Sequence, residues 1–105
     1  VTDLIKWPHN LFGNQVISAQ SVTMMITPTV LNNGQTIQYG FGLGLAPYQG
    51  EEKVAHSGEI IGYQAYLAYY PDEELAIAIL TNTQKGFGPS PLPDVEKEIA
   101  DLFLN

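Results

Sequence analysis

The sequence predicts an α+β fold: an antiparallel sheet of about four strands, with two helices before it and one after. Three observations carry that prediction. Tyr63 to Tyr70 and Leu75 to Thr81 are apolar, strand-length runs joined only by Pro71 to Glu74, which is a hairpin pattern. The links between successive strand candidates are short, so neighbours must run antiparallel. Both ends of the chain instead space their apolar residues at helical intervals. Residues 1–36 are the helical part, 37–82 the sheet and 93–104 the closing helix of a single domain or a portion of one.

The first helix is expected from Thr2 to Phe12. Thr2 suits an N-cap, Asp3 suits the first turn, and Leu4, Trp7 and Leu11 share a face. Pro8 lacks a backbone donor and should kink or divide this helix, and Gly13 should stop it. Ser18 should cap a second helix reaching about Thr27, with Val22, Met25 and Ile26 inward, before Pro28 ends it. Asn32-Asn33-Gly34 signals a turn.

Ile37 to Tyr48 reads as one strand. Gly40, Gly42 and Gly44 fall on one face and Tyr39, Phe41, Leu43 and Leu45 on the other. A strand bare on one side lets another backbone approach closely. Gly50 to Lys53 is a turn, and Val54 to Ser57 returns antiparallel. The strand ends in the polar step His56-Ser57-Gly58, followed by a tight passage at Gly62. Leu75 to Thr81 is apolar on both faces, as in a central strand covered on both sides. Gly86 to Pro93 reads as a loop. Pro93 opens a last helix to about Leu104, with Val95, Ile99, Leu102 and Phe103 on one stripe.

Composition narrows the function. With 105 residues, the chain buries only about two-thirds of its unfolded surface. Eleven acids against four bases give a net charge of −7. That balance disfavours nucleic acid and anionic membrane surfaces, which need clustered Lys and Arg. The acids cluster at Glu51-Glu52, Asp72 to Glu74 and Asp94 to Asp101, read as two solvated turns and a solvated helix. No apolar run has the length of a membrane span. No signal peptide is visible at Val1-Thr2-Asp3, and Val1 reads as an arbitrary cut or a processed start. With no cysteine, disulfides and thiolate metal sites are excluded and the compartment stays open.

Several chemistries fail on spacing. Gly40, Gly42 and Gly44 do not follow the dinucleotide pattern, which must open a helix. Only His9 and His56 are available as soft metal ligands, so no metal and no cofactor is expected. Ser57 lies between His56 and Gly58 at a strand end, so it is not a nucleophile elbow. His56 has an ordinary reading, a satisfied histidine at a strand end. It also has a functional one, an imidazole facing a cleft and donating to a substrate carboxylate or carbonyl. Backbone N–H groups just after it, around Glu59, can then form one arm of an oxyanion hole.

Taken in order, His56-Ser57-Gly58-Glu59-Ile60-Ile61-Gly62-Tyr63, Ala68-Tyr69-Tyr70-Pro71-Asp72-Glu73-Glu74-Leu75 and Ile79-Leu80-Thr81-Asn82 resemble the C-terminal part of the serine β-lactamase and penicillin-binding protein family. The branch is that of class C-type enzymes, DD-peptidases and related esterases. The family's third motif is Lys-Thr-Gly or His-x-Gly, and His56-Ser57-Gly58 matches the second form. Tyr39-Gly40-Phe41-Gly42 resembles the preceding Y-G-x-G strand, and Asp3-Leu4-Ile5-Lys6-Trp7 an upstream helix start.

The resemblance implies substrate-binding roles for four residues. His56 would line the site opposite the nucleophile, Ser57 would bond substrate, and Gly58 would keep the strand edge bare. The Glu59 backbone N–H would serve the oxyanion hole. It assigns no nucleophile to this chain. The family's serine lies in Ser-x-x-Lys, whereas the residues three beyond Ser18, Ser21, Ser57 and Ser90 are Ser21, Met24, Ile60 and Pro93. The second motif, Tyr-x-Asn or Ser-x-Asn, is absent too. The expectation is the last third of a serine hydrolase acting on β-lactams, D-Ala-D-Ala peptides or small esters, inactive alone. Its periplasmic or secreted location is favoured by the resemblance. An unpaired sheet edge should invite a homodimer or a domain-swapped oligomer. The competing reading is a stand-alone module binding peptide or glycan through Tyr63, Tyr66, Tyr69 and Tyr70.

Overall fold

A computed structural model describes residues 1–83 and 89–104. In chain order the elements are α1 (Thr2–Phe12), α2 (Ala19–Met25), β1 (Thr29–Val30), β2 (Thr36–Ile37), β3 (Gly44–Leu45), β4 (Val54–Ile60), β5 (Tyr63–Tyr70), β6 (Leu75–Thr81) and α3 (Leu92–Ala100). The class is α+β. β1 and β2 form a small antiparallel ribbon, and the main sheet has the antiparallel order β3-β4-β5-β6. No helix among the described residues is long and apolar enough to cross a membrane.

The main sheet has a helix on each face. Strand alternation sends Val54, His56, Leu67 and Tyr69 toward α1, beside Pro8, Leu11 and Phe12. The Tyr69 ring meets His9 edge-on at 5.2 Å and Phe12 at 4.8 Å. The opposite face carries the core: Ala55, Ala68, Tyr70 and Ile77 pack with Ala100 and Leu104. Two turns set the register. Gly62, at φ 84°, closes the β4–β5 hairpin beyond the Ile60–Tyr63 pair. Glu74, at φ 49°, closes β5–β6.

Several expectations change. Val1, not Thr2, is the N-cap of α1, and the helix runs unbroken through Pro8, whose ring is buried against the sheet side. Tertiary burial outweighs the lost donor there. Ser18 does cap α2, its Oγ accepting from the Ser21 N–H at 3.2 Å. Ile37 to Tyr48 is not one strand. Tyr39 bridges Gly44, and the Gly40 N–H donates to the Leu43 carbonyl at 2.8 Å. Gly42, at φ 77°, permits this doubling back. The expected close backbone approach is real, at Gly40: a Cβ there would lie 1.8 Å from the Met25 carbonyl oxygen at the end of α2.

β4 extends to Ile60, beyond the expected stop at Ser57. β6 is the margin of the main sheet among the described residues rather than a central strand, although α1 and α3 both pack on it. α3 ends at Ala100, and the stripe it buries is Leu92, Glu96 and Ala100; Leu102 and Phe103 are exposed. Of the loop expected over Gly86 to Pro93, residues 86–88 lie outside the described residues, and Leu92 and Pro93 already belong to α3.

The acidic helix is not wholly solvated. Glu96 is 0% exposed. Its Oε2 takes the Lys53 ammonium at 3.0 Å, and its Oε1 accepts the Tyr70 hydroxyl at 2.7 Å. Lys53 also lies over the Tyr48 and Tyr70 rings, 5.3 and 5.9 Å from their centroids. Burial, and then the Glu96 carboxylate beside it, pushes the Tyr70 phenol well above its ordinary range. This cluster ties α3 to the start of β4 and the end of β5.

Candidate functional site

The site is built from one strand edge and one doubled-back loop. β3 pairs with β4 only at Leu45–Val54 and Gly44–Ala55. β4 continues for five residues past that ladder, through His56, Ser57, Gly58, Glu59 and Ile60, all exposed. The four residues expected to bind substrate therefore fall together on the segment that β3 leaves uncovered.

Backbone direction follows from the ladder. The Ala46 N–H donates to the Lys53 carbonyl at 3.0 Å, so the Lys53 main chain faces β3. Alternation turns Ala55, Ser57 and Glu59 the same way, and His56, Gly58 and Ile60 toward β5. The two-residue Ile61-Gly62 turn, closed by the Ile60–Tyr63 pair, agrees. The main-chain groups of Ser57 and Glu59 thus point past the end of β3.

The side chains divide between the faces. His56 lies on the α1 side, and its Nε2 is 3.0 Å from the Tyr39 hydroxyl. The rings are 6.2 Å apart, inclined at 60°. A hollow of about 210 Å³ opens between Tyr39, His56 and Ser57, floored by Gly44, Ala55 and Tyr66. Burial, followed by the Glu96 charge, raises the Tyr66 phenol above its ordinary range, so this floor is neutral at physiological pH. A methyl group at Gly58 would meet the Ala65 Cβ at 3.7 Å, an ordinary contact. Packing does not require glycine at that position.

Tyr39, which meets His56 across the hollow, is the site-lining residue that the sequence alone does not single out. It belonged to the Y-G-x-G resemblance but was read only as one of four large residues on a strand face. The signal available was its place directly before Gly40, whose bare backbone anchors the loop on α2. Of the tyrosines considered for a binding surface, Tyr63 is exposed, Tyr66 is half-buried, and Tyr69 and Tyr70 are buried. They form no common face, since β5 alternation sends Tyr66 and Tyr70 opposite to Tyr63 and Tyr69. No group of three or more His, Cys, Asp or Glu side chains gathers as a cation site among the described residues. A bare strand edge next to an imidazole suits the lining-up of an extended or planar acyl group. It turns main-chain donors toward such a group.

Three comparisons bear on this arrangement. The family profile described as beta-lactamase matches residues 1–100. Penicillin-binding protein 4* of Bacillus subtilis (strain 168) is 35% identical over 86 residues, which cover 80% of this chain and 19% of that protein. In three dimensions the chain is similar to the octameric penicillin-binding protein homologue from Pyrococcus abyssi. The TM-score is 0.73 at 28% identity, over 97% of this chain and 24% of that one. The chain spans about a fifth of the length of the curated relative.

Proposed function

The chain belongs to the beta-lactamase family, and from that premise we propose that it forms the His-x-Gly wall of a serine acyl-transfer site. The attacking serine and its lysine come from polypeptide outside these 105 residues. Substrates of this class are β-lactams, D-Ala-D-Ala peptides or small esters. The whole chain is one portion of the larger beta-lactamase-like domain. The observation that carries the reading is the exposed run His56-Ser57-Gly58-Glu59, continuing past the last β3 pair with alternate main-chain groups turned outward.

The roles are those the family resemblance implies, and that geometry is compatible with them. A substrate acyl group lies along the β4 edge, where Gly58 adds no bulk. His56 donates to its carboxylate or carbonyl, and the Ser57 hydroxyl supplies a further bond. When the serine oxygen adds to the carbonyl carbon, the C=O π pair moves onto oxygen. The outward Glu59 N–H stabilises that oxyanion as the tetrahedral intermediate forms. Collapse expels the leaving group, which takes up the proton the serine gave away and departs as the amine or alcohol, and the acyl group stays on the serine. Lysine three residues after that serine, on the same helical face, accepts its proton.

The margin of the sheet at β6 supports a partner reading. In a longer polypeptide, further strands pair there; in the 105-residue chain, the same edge drives a homodimer or a domain-swapped assembly. Exposed Ile60, Ile61 and Leu80 add apolar surface at that end of the sheet.

Fluorescent penicillin tests the acyl-transfer reading. The 105-residue chain stays unlabelled. A polypeptide extended upstream through the same reading frame is labelled on the serine of a Ser-x-x-Lys. Labelling of the short chain, or an upstream frame without that motif, overturns the assignment.

A further inference from the structure

The structure assigns Tyr39 a positioning role that deepens the acyl-transfer reading and rests on it: its hydroxyl donates to His56 Nε2 and so fixes the ring proton on Nδ1. His56 then presents Nδ1–H to a substrate as its donor. The substrate feature it selects is an acceptor, a carbonyl or carboxylate oxygen, and not a proton-bearing group.

The argument starts from how firmly Tyr39 is held. Its carbonyl accepts from both the Thr29 N–H at 3.2 Å and the Thr29 Oγ1 at 2.7 Å. Its backbone bridges Gly44. On its C-terminal side, the Phe41 N–H donates to the Met25 carbonyl at 2.9 Å, and Gly40 sits so close to that oxygen that no side chain fits. Three separate elements thus hold the main chain that carries the phenol. His56 is fixed independently, by the β4–β5 ladder through its pair with Leu67. The 3.0 Å contact between the two side chains joins two anchored groups.

Donor and acceptor strengths set its direction. A phenol O–H is a more acidic donor than a neutral imidazole N–H, and the unprotonated ring nitrogen is the stronger acceptor. The phenol therefore donates, and Nε2 is the bare nitrogen. The hydrogen bond at one ring nitrogen decides which nitrogen carries the proton. Nδ1–H is the minor form of free neutral histidine, so a partner that enforces it leaves a distinct signature.

Long-range ¹H–¹⁵N correlation spectra of the uniformly labelled 105-residue chain, at about pH 8 where ordinary imidazoles are neutral, read that signature without substrate. The expected result is a His56 ratio of Nδ1–H to Nε2–H raised by roughly fivefold over free histidine, the weight of one net hydrogen bond. Tyr39→Phe returns the ratio toward the free value, while the amide spectrum of the β5–β6 core stays unchanged. A free-histidine ratio in the wild-type chain overturns the assignment even if Tyr39→Phe fails to fold. So does a folded Tyr39→Phe that keeps the wild-type ratio. Because no acyl substrate is present, this outcome is separate from penicillin labelling: either result can fail while the other stands.

Discussion

Replacing Lys53 by Met tests whether the cluster under α3 governs the stability of the chain. Met keeps the length of the aliphatic stem and deletes the ammonium. Glu96 then retains its full burial and loses its counter-charge, keeping only the Tyr70 hydroxyl on Oε1. Removing one partner of a buried pair costs about 3–5 kcal/mol, because the other charge is left uncompensated. The surviving Tyr70 bond places the expected loss near the lower end, about 3 kcal/mol. A chain of 105 residues has roughly 5–15 kcal/mol in total at typical stability per residue. With a urea slope of about 2 kcal/mol per molar, the unfolding midpoint should fall by ~1.5 M. Urea titration followed by far-ultraviolet circular dichroism measures it. Lys53→Met/Tyr70→Phe/Glu96→Leu removes every polar member together, leaves none stranded, and should recover most of the loss. A midpoint shift below about 0.3 M for the single variant, or a triple variant weaker than the single one, would refute the reasoning.

Four further outcomes follow from the same structure. Gly40→Ala drives a methyl into the Met25 carbonyl oxygen, 1.8 Å away, and should cost at least about 1–3 kcal/mol by urea titration. Gly58→Ala meets only an ordinary contact and relieves strand glycine of its entropy cost, so stability should hold or rise by up to ~1 kcal/mol. The extended, penicillin-reactive polypeptide should nonetheless lose acylation rate with Gly58→Ala; unchanged acylation would remove the glycine from the site. Alkaline stability has a definite sign. The phenols of Tyr70, Tyr66 and Tyr69 are all raised in the fold by burial, so the unfolded chain gives up these protons first. Stability is therefore fully present below the ordinary tyrosine value of about 10 and falls as pH climbs above it, as urea midpoints between about pH 8 and pH 11 should show. Tyr70→Phe should flatten that decline. Light scattering on the 105-residue chain should show association that grows with concentration; a monomer throughout would count against pairing at β6.

Much of the sheet was legible because its signals are local. Pro71 to Glu74 between two apolar runs fixes a hairpin whatever the rest of the chain does, and Ser18 carries its own cap. His56, Ser57, Gly58 and Glu59 could be located together because a polar step breaks an otherwise apolar strand. What escaped depended on distant partners. Glu96 looks solvated when α3 is read alone, and Lys53, 43 residues earlier, together with the Tyr70 hydroxyl makes its burial tolerable. That misreading rotated the expected stripe of α3 onto Val95 and Leu102. The alternation from Tyr39 to Leu45 is the same whether the chain runs on as a strand or folds back at Gly42, and the Met25 carbonyl decides between them. Apolarity on both faces of β6 reported the helices above and below it and said nothing about its neighbours within the sheet.

The outward turn of the Ser57 main chain has a consequence for genetics. Replacing side chains one at a time along β4 leaves every amide in place unless proline, which also reshapes the backbone, is introduced, so an ordinary mutational scan is blind to whatever the edge itself contributes. An amide-to-ester exchange at position 57, made by semisynthesis, deletes one N–H without altering a single side chain. That atom-level edit reaches the main-chain chemistry of this strand without the backbone restriction that proline would add.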